Sequence, residues 1–150
     1  MIEMNKDFPK LTKSIEDYIE VMYHLEKVKG SIRVTDIAEK LEVKPSSVVE
    51  AVGKISKMKI VSREKYGEIK FTGDGIQIAE SIVHKHNALK KFLRALDVEE
   101  VTAEKEACAM EHVLSSSTVN KIEKFTEFIE TFPDDHLNLK KVVHASKFKK

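Results

Sequence analysis

A mainly α fold in two successive parts is predicted by this sequence, and three observations carry the prediction. Apolar residues recur at helical spacing through most of the chain, while one short stretch, IVSREKYGEIKFT, alternates as strands do. Gly73 and Gly75 mark a junction after which only helical periods follow. The parts so defined are residues 1–74, helices followed by a hairpin, and residues 75–150, all helical.

Each element has its own signal. Ile15, Tyr18, Ile19, Met22 and Leu25 predict a helix from about Lys13 to Lys27, started by Thr12 or Ser14 and ended by Gly30. VTDIAEKLEV predicts a short helix capped by Thr35 or Asp36 that buries Ile37, Ala38 and Leu41. After a turn at Val43 and Lys44, Pro45 and two serines open a third helix with the apolar stripe Val48, Val52 and Ile55. Two short strands, with Ile60 and Ser62 on one and Ile69 and Phe71 on the other, then flank a turn at Gly67. Helix, turn, helix and hairpin in that order is the pattern of a winged helix-turn-helix domain. Beyond the junction, Ile78, Ile82, His86, Leu89, Phe92 and Leu93 predict one long helix. Two more follow, around Glu104 to Leu114 and Ser117 to Phe132, the last closed by Pro133.

The composition limits the function classes. With 150 residues, 41% hydrophobic and 34% charged, the chain has the make-up of a soluble globular protein. No apolar run approaches the ~20 residues that span a bilayer, and MIEMNKDFPK lacks a secretory core, so a cytoplasmic chain with no membrane partner is expected. The single cysteine, Cys108, excludes an internal disulfide. The net charge is only +1, yet from Lys44 to Lys70 seven basic residues stand against three acidic ones. That local excess, on the third helix and the hairpin, is a footprint for double-stranded DNA. The candidate contacts are Lys44, Ser46, Ser47, Glu50, Lys54 and Lys57 on the helix, with Lys65 and Lys70 on the wing. The serines and free N–H groups at the helix start suit a phosphate or a base edge, Glu50 can accept from a cytosine amino group, and the lysines suit phosphates.

At 100° per residue, Glu104, Cys108, Glu111 and His112 share one stripe of a helix, beside the apolar face of Ala103, Ala107, Met110 and Leu114. A thiol, carboxylates and an imidazole on one face fit a metal. They also fit a solvated surface with Cys108 as a small core residue. On the first helix Asp17 and Glu20 lie opposite the apolar stripe, either facing water or, against a second domain, in need of a cation. His86 offers a further imidazole.

SIEDYIEVMYHLE, RVTDIAEKLEVKPSSVVEAVGKI, HKHNALKKFL and CAMEHVLS together resemble the iron- and manganese-responsive repressors of the diphtheria-toxin-repressor type, and among them the shorter manganese-transport regulators. The resemblance covers nearly the whole chain. It implies a winged helix-turn-helix domain followed by an all-helical dimerisation domain, and a metal-dependent repressor of metal-homeostasis genes. It further implies a homodimer on a near-palindromic operator, and no enzymatic activity. It places the principal metal site on Asp17, Glu20, His86, Glu111 and His112, with Cys108 at a further ligand position. Cys108 is similar to the iron-type branch, whereas Asp17 and Glu20 match the manganese type. Lys90 stands where the ancillary site of longer members wants a carboxylate, although Glu104 remains available there.

Carboxylates and imidazoles suit Fe(II) or Mn(II), and a thiolate adds affinity for Co(II), Ni(II) or Zn(II) as substitutes. The expected mechanism is a clasp: metal draws together the carboxylates of one domain and the ligands of the other, and fixes two DNA-binding heads at successive major grooves ~34 Å apart. Ile78, Ile82, Leu89, Phe92, Phe125, Phe128, Ile129 and Phe132 are the apolar residues expected to support the dimer. A metal-dependent hydrolase is the rival from another class, but no nucleophile with a paired base is apparent. A metal-independent winged-helix regulator is the alternative reading.

Overall fold

The computed structural model describes residues 10–64 and 67–131. Lys65 on the wing, Phe132 and the segment beyond it lie outside the described residues. Within them the order is α1 (Lys13–Lys29), α2 (Val34–Leu41), α3 (Pro45–Lys57), β1 (Val61–Arg63), β2 (Ile69–Phe71), α4 (Gly73–Ala95), α5 (Glu100–Glu111) and α6 (Ser116–Glu130). The chain divides into two compact units, Met1–Ile82 and Val83–Lys150. Among the described residues no helix is long and apolar enough to cross a membrane.

In the first unit the predicted stripes become one core. Ile19, Met22, Ile37, Val48 and Ile55 are completely buried, joined by Ile60 and Ile69 at the base of the hairpin. Thr12 caps α1 by accepting from the Ile15 amide, and Gly30 stops it in a left-handed conformation (φ 71°) that returns its N–H to the Glu26 carbonyl. The cap expected for α2 is not used. The helix starts after Arg33 with no side-chain cap, because its cap position falls two residues before Thr35 and the Asp36 carboxylate is engaged by Lys29 Nζ at 2.8 Å. Pro45 occupies the first turn of α3, where its missing N–H costs nothing. The wing is antiparallel, pairing Val61 with Phe71, Ser62 with Lys70 and Arg63 with Ile69.

The junction at Gly73 and Gly75 is helical: both residues belong to the first turn of α4. Thr72 ties that turn down, its hydroxyl donating to the Lys59 carbonyl at 2.6 Å and accepting from the Gly75 amide at 2.9 Å. Gly75 is a residue of close approach and not of flexibility, since a Cβ there would lie 1.7 Å from the Ile60 carbonyl oxygen. The next turns of α4 place Ile78, Ala79 and Ile82 in the core of the first unit.

The second unit has a smaller core of Ala88, Leu89, Leu93, Ala103, Ala107 and Val119, with Phe92 and Met110 packed against it. Ala103 and Ala107 on α5 are completely buried and share this core with Ala88, Leu89 and Leu93 of α4. The residues expected to support a dimer therefore separate. Ile78, Ile82 and Leu89 are buried within their own units, whereas Phe125 and Phe128 on α6 are 51% and 58% exposed.

Candidate functional site

Side chains of α4 and α5 bring a set of metal-ligating groups together in the second unit. His86 is buried on α4, and both of its ring nitrogens face carboxylates. Nδ1 lies 2.7 Å from Glu111 Oε2 and Nε2 lies 2.9 Å from Glu104 Oε1. Glu111, in the last turn of α5, is 2% exposed. Its other oxygen is buried with no hydrogen-bond partner among the described residues, and His112 Nε2 lies 3.4 Å from it. Cys108 is partly buried one turn earlier, so that single donor atoms of Cys108, Glu111 and His112 lie within 4.8 Å of one another. Spacing alone places Cys108, Glu111 and His112 at i, i+3 and i+4, where they must share a face. That His86 would meet them depends on tertiary packing.

These donors suit a divalent cation. A buried carboxylate with one oxygen left without a hydrogen bond is costly unless a positive charge completes it. Imidazole and thiol donors beside it supply the remaining ligand types of a transition-metal site. The C-terminal end of α5, where they gather, carries the negative end of the helix dipole and favours a cation further.

Glu104, predicted as a possible ligand of an ancillary site, already has a cation. Lys90 Nζ lies 2.8 Å from its Oε2 and 3.2 Å from Glu100 Oε1. The ammonium beside Glu104 holds its carboxyl below the usual carboxylate range, and that pair, with Glu100, raises the lysine. Lys90 thus already supplies a positive charge between Glu100 and Glu104.

In the first unit, Asp17 and Glu20 sit partly buried on α1, and Glu20 Oε1 is 3.9 Å from His24 Nε2. Lys44, Ser46, Ser47, Glu50, Lys54 and Lys57 are all exposed on or beside α3, and Lys70 is exposed on β2. Glu50 and Lys54 form a loose ion pair at 3.5 Å, while Lys70 lies 3.6 Å from Glu64. Exposed pairs of this kind contribute little to stability and are readily exchanged for another partner.

Comparison with known proteins extends the geometry. The model of the iron dependent repressor, N-terminal DNA binding domain, matches residues 10–69. That of the iron dependent repressor, metal binding and dimerisation domain, matches residues 72–139. The HTH-type transcriptional regulator MntR of Bacillus velezensis is 38% identical over 136 residues, 91% of this chain and 94% of the relative. Its counterpart in Bacillus subtilis is 39% identical over 119 residues, 79% of this chain and 84% of the relative. Among solved structures, that of the manganese regulator SloR is similar with a TM-score of 0.68 at 29% identity. It is matched over 79% of this chain and 55% of its own, so the present chain spans about half its length.

Proposed function

The chain belongs to the iron-dependent repressor family, and from that premise we propose which residues make its repression metal-dependent and how they do so. It is a metal-dependent, DNA-binding transcriptional repressor with a divalent metal as cofactor, not an enzyme. The ligands proposed are His86, Cys108, Glu111 and His112 from the second unit and Asp17 and Glu20 from α1. The observation that carries this set is Glu111, a carboxylate buried at the end of α5 between two imidazoles.

When bound, a divalent metal would supply positive charge to this set of carboxylates, imidazoles and thiol. Glu111 offers an anionic oxygen already stripped of water, and Glu104, itself anchored on Lys90, orients His86 through Nε2, so that Nδ1, which here faces Glu111, would be the nitrogen offered to a metal. Asp17 and Glu20 would bring two more carboxylates to that set. The metal proposed is Fe(II) or Mn(II), with the Cys108 sulfur drawing the preference toward the softer ions. The regulated genes proposed are those of metal homeostasis. The protein is proposed to act as a homodimer on a near-palindromic operator, with Phe125 and Phe128 among the apolar residues available for pairing.

Asp17 provides the test of the ligand set. In Asp17→Ala, metal-free DNA binding stays at its wild-type level while stimulation by Mn(II) or Fe(II) falls about tenfold or more, since a lost ligand removes part of the differential affinity that drives the change. Electrophoretic shift with and without metal reads both quantities. Unchanged stimulation would remove α1 from the metal site.

On the DNA side, α3 is proposed to read the major groove, Glu50 at a base edge and Lys44, Lys54, Lys57 and Lys70 on phosphates, with Ser46 and Ser47 at the helix start. Lys54→Ala is expected to weaken binding to all duplexes alike and to lower the slope of log affinity against log salt by about one unit. Glu50→Ala relaxes preference at one base pair, by about 1–3 kcal/mol. A salt titration on specific and random duplexes separates them, and identical profiles for the two variants would refute the division of roles.

A further inference from the structure

Gly53 sits in the interior of α3, on its outward face with Ser46, Glu50 and Lys57, all of them exposed. Glycine weakens a helix interior relative to alanine, because the unfolded chain gains backbone freedom and the helix gains no side chain. Such a residue has a reason when the backbone turns left-handed or a neighbour comes too close for a Cβ. Neither holds at Gly53: its φ is ordinary, and a Cβ built there meets no atom within 4 Å among the described residues. Gly75 shows the contrary case, with a backbone oxygen in the way. Nothing among the described residues therefore accounts for Gly53, which leaves the outward side of α3 as the place where its missing side chain matters.

We propose that Gly53 is the point at which the DNA duplex lies against the backbone of α3, its missing side chain allowing the helix to seat deeply enough for Ser46 and Glu50 to reach base edges. The inference rests on the assignment of α3 as the reading helix. A methyl group at the centre of the contact holds the helix away from the groove, and hydrogen bonds to bases weaken steeply when stretched by about 1 Å. Lysine contacts to phosphate, made through long flexible stems, tolerate that displacement better.

The test uses the whole chain with Mn(II), a duplex that the wild type recovers from a randomised pool, and a scrambled duplex of the same length. Gly53→Ala is expected to raise the melting temperature by about 2–4 °C and to lower affinity for the recovered duplex about tenfold, with a smaller loss on the scrambled one. Gly53→Leu deepens the loss. Wild-type affinity in both variants, or a melting temperature that falls in Gly53→Ala, overturns the proposal. Glu50→Ala measured alongside tells the two failures apart. If it relaxes sequence preference while Gly53→Leu binds as wild type, only the close approach is wrong. If neither variant alters binding, α3 does not read DNA and the assignment beneath the proposal falls with it.

Discussion

Glu111→Gln is expected to remove metal-stimulated DNA binding while leaving the fold intact. The substitution keeps the shape of the side chain and a carbonyl oxygen that can accept from His86, but it withdraws the negative charge. In the metal-free protein that change is neutral or stabilising. Glu111 is 2% exposed, one of its oxygens has no hydrogen-bond partner among the described residues, and an amide is cheaper to bury than a carboxylate. In the metal-bound protein the same change removes an anionic ligand. Reversing a two-state equilibrium needs a differential affinity of about 5.5 kcal/mol, so losing one strong ligand is enough to leave the inactive state dominant. Metal affinity should fall about 100-fold or more, with the melting temperature of the metal-free variant at or above that of the wild type. Calorimetric titration with Mn(II), thermal unfolding without metal and a DNA shift assay give the three readings. Full metal stimulation in Glu111→Gln would show that this carboxylate is not a ligand.

Much of this arrangement was legible in the sequence, because the helical periods that define α1, α3 and α4 are also the buried faces. Ile19, Met22, Val48, Val52 and Leu89 lie in the cores where their spacing put them. The hairpin was legible because period-2 alternation around Gly67 competes with no helical pattern. The trio Cys108, Glu111 and His112 was legible for the same local reason, since residues three and four apart on a helix must share a face.

What was not legible depends on contacts between distant segments. His86 and Glu111 are 25 residues apart, and their 2.7 Å contact requires α4 and α5 to share one core, which no periodicity reveals. The start of α2 was misjudged because Asp36 has the right chemistry for a cap but a lysine seven residues earlier engages it. The dimer list combined Ile78, Ile82 and Leu89 with Phe125 and Phe128, because an apolar helical residue reads alike whether its partner is its own chain or another. Gly73 and Gly75 read only as a junction, since the atom that explains Gly75 belongs to Ile60, fifteen positions earlier.

Gly75→Ala is expected to destabilise the protein by about 3 kcal/mol, the upper range for forcing one extra group into a packed site. An alanine Cβ would lie 1.7 Å from the Ile60 carbonyl oxygen, 2.6 Å from its carbon and 3.0 Å from its Cα. All three are backbone atoms, so no side-chain rotation relieves the overlap. Ile60 is itself fixed. It is 1% exposed, and its carbonyl accepts from the Thr72 amide at 3.0 Å. Relief requires either that the first turn of α4 unwind, losing the bond from the Gly75 amide to the Thr72 hydroxyl, or that the turn between α3 and β1 move away. Both disturb the link between α3 and the wing, so DNA affinity should fall as well. In an ordinary helix the same exchange stabilises by up to about 1 kcal/mol, which is why Gly75→Ala and Gly53→Ala are expected to shift the melting temperature in opposite directions. A melting temperature lowered by about 10 °C in Gly75→Ala is the expected reading. A temperature equal to or above the wild type would mean that α4 does not pack against Ile60 as described.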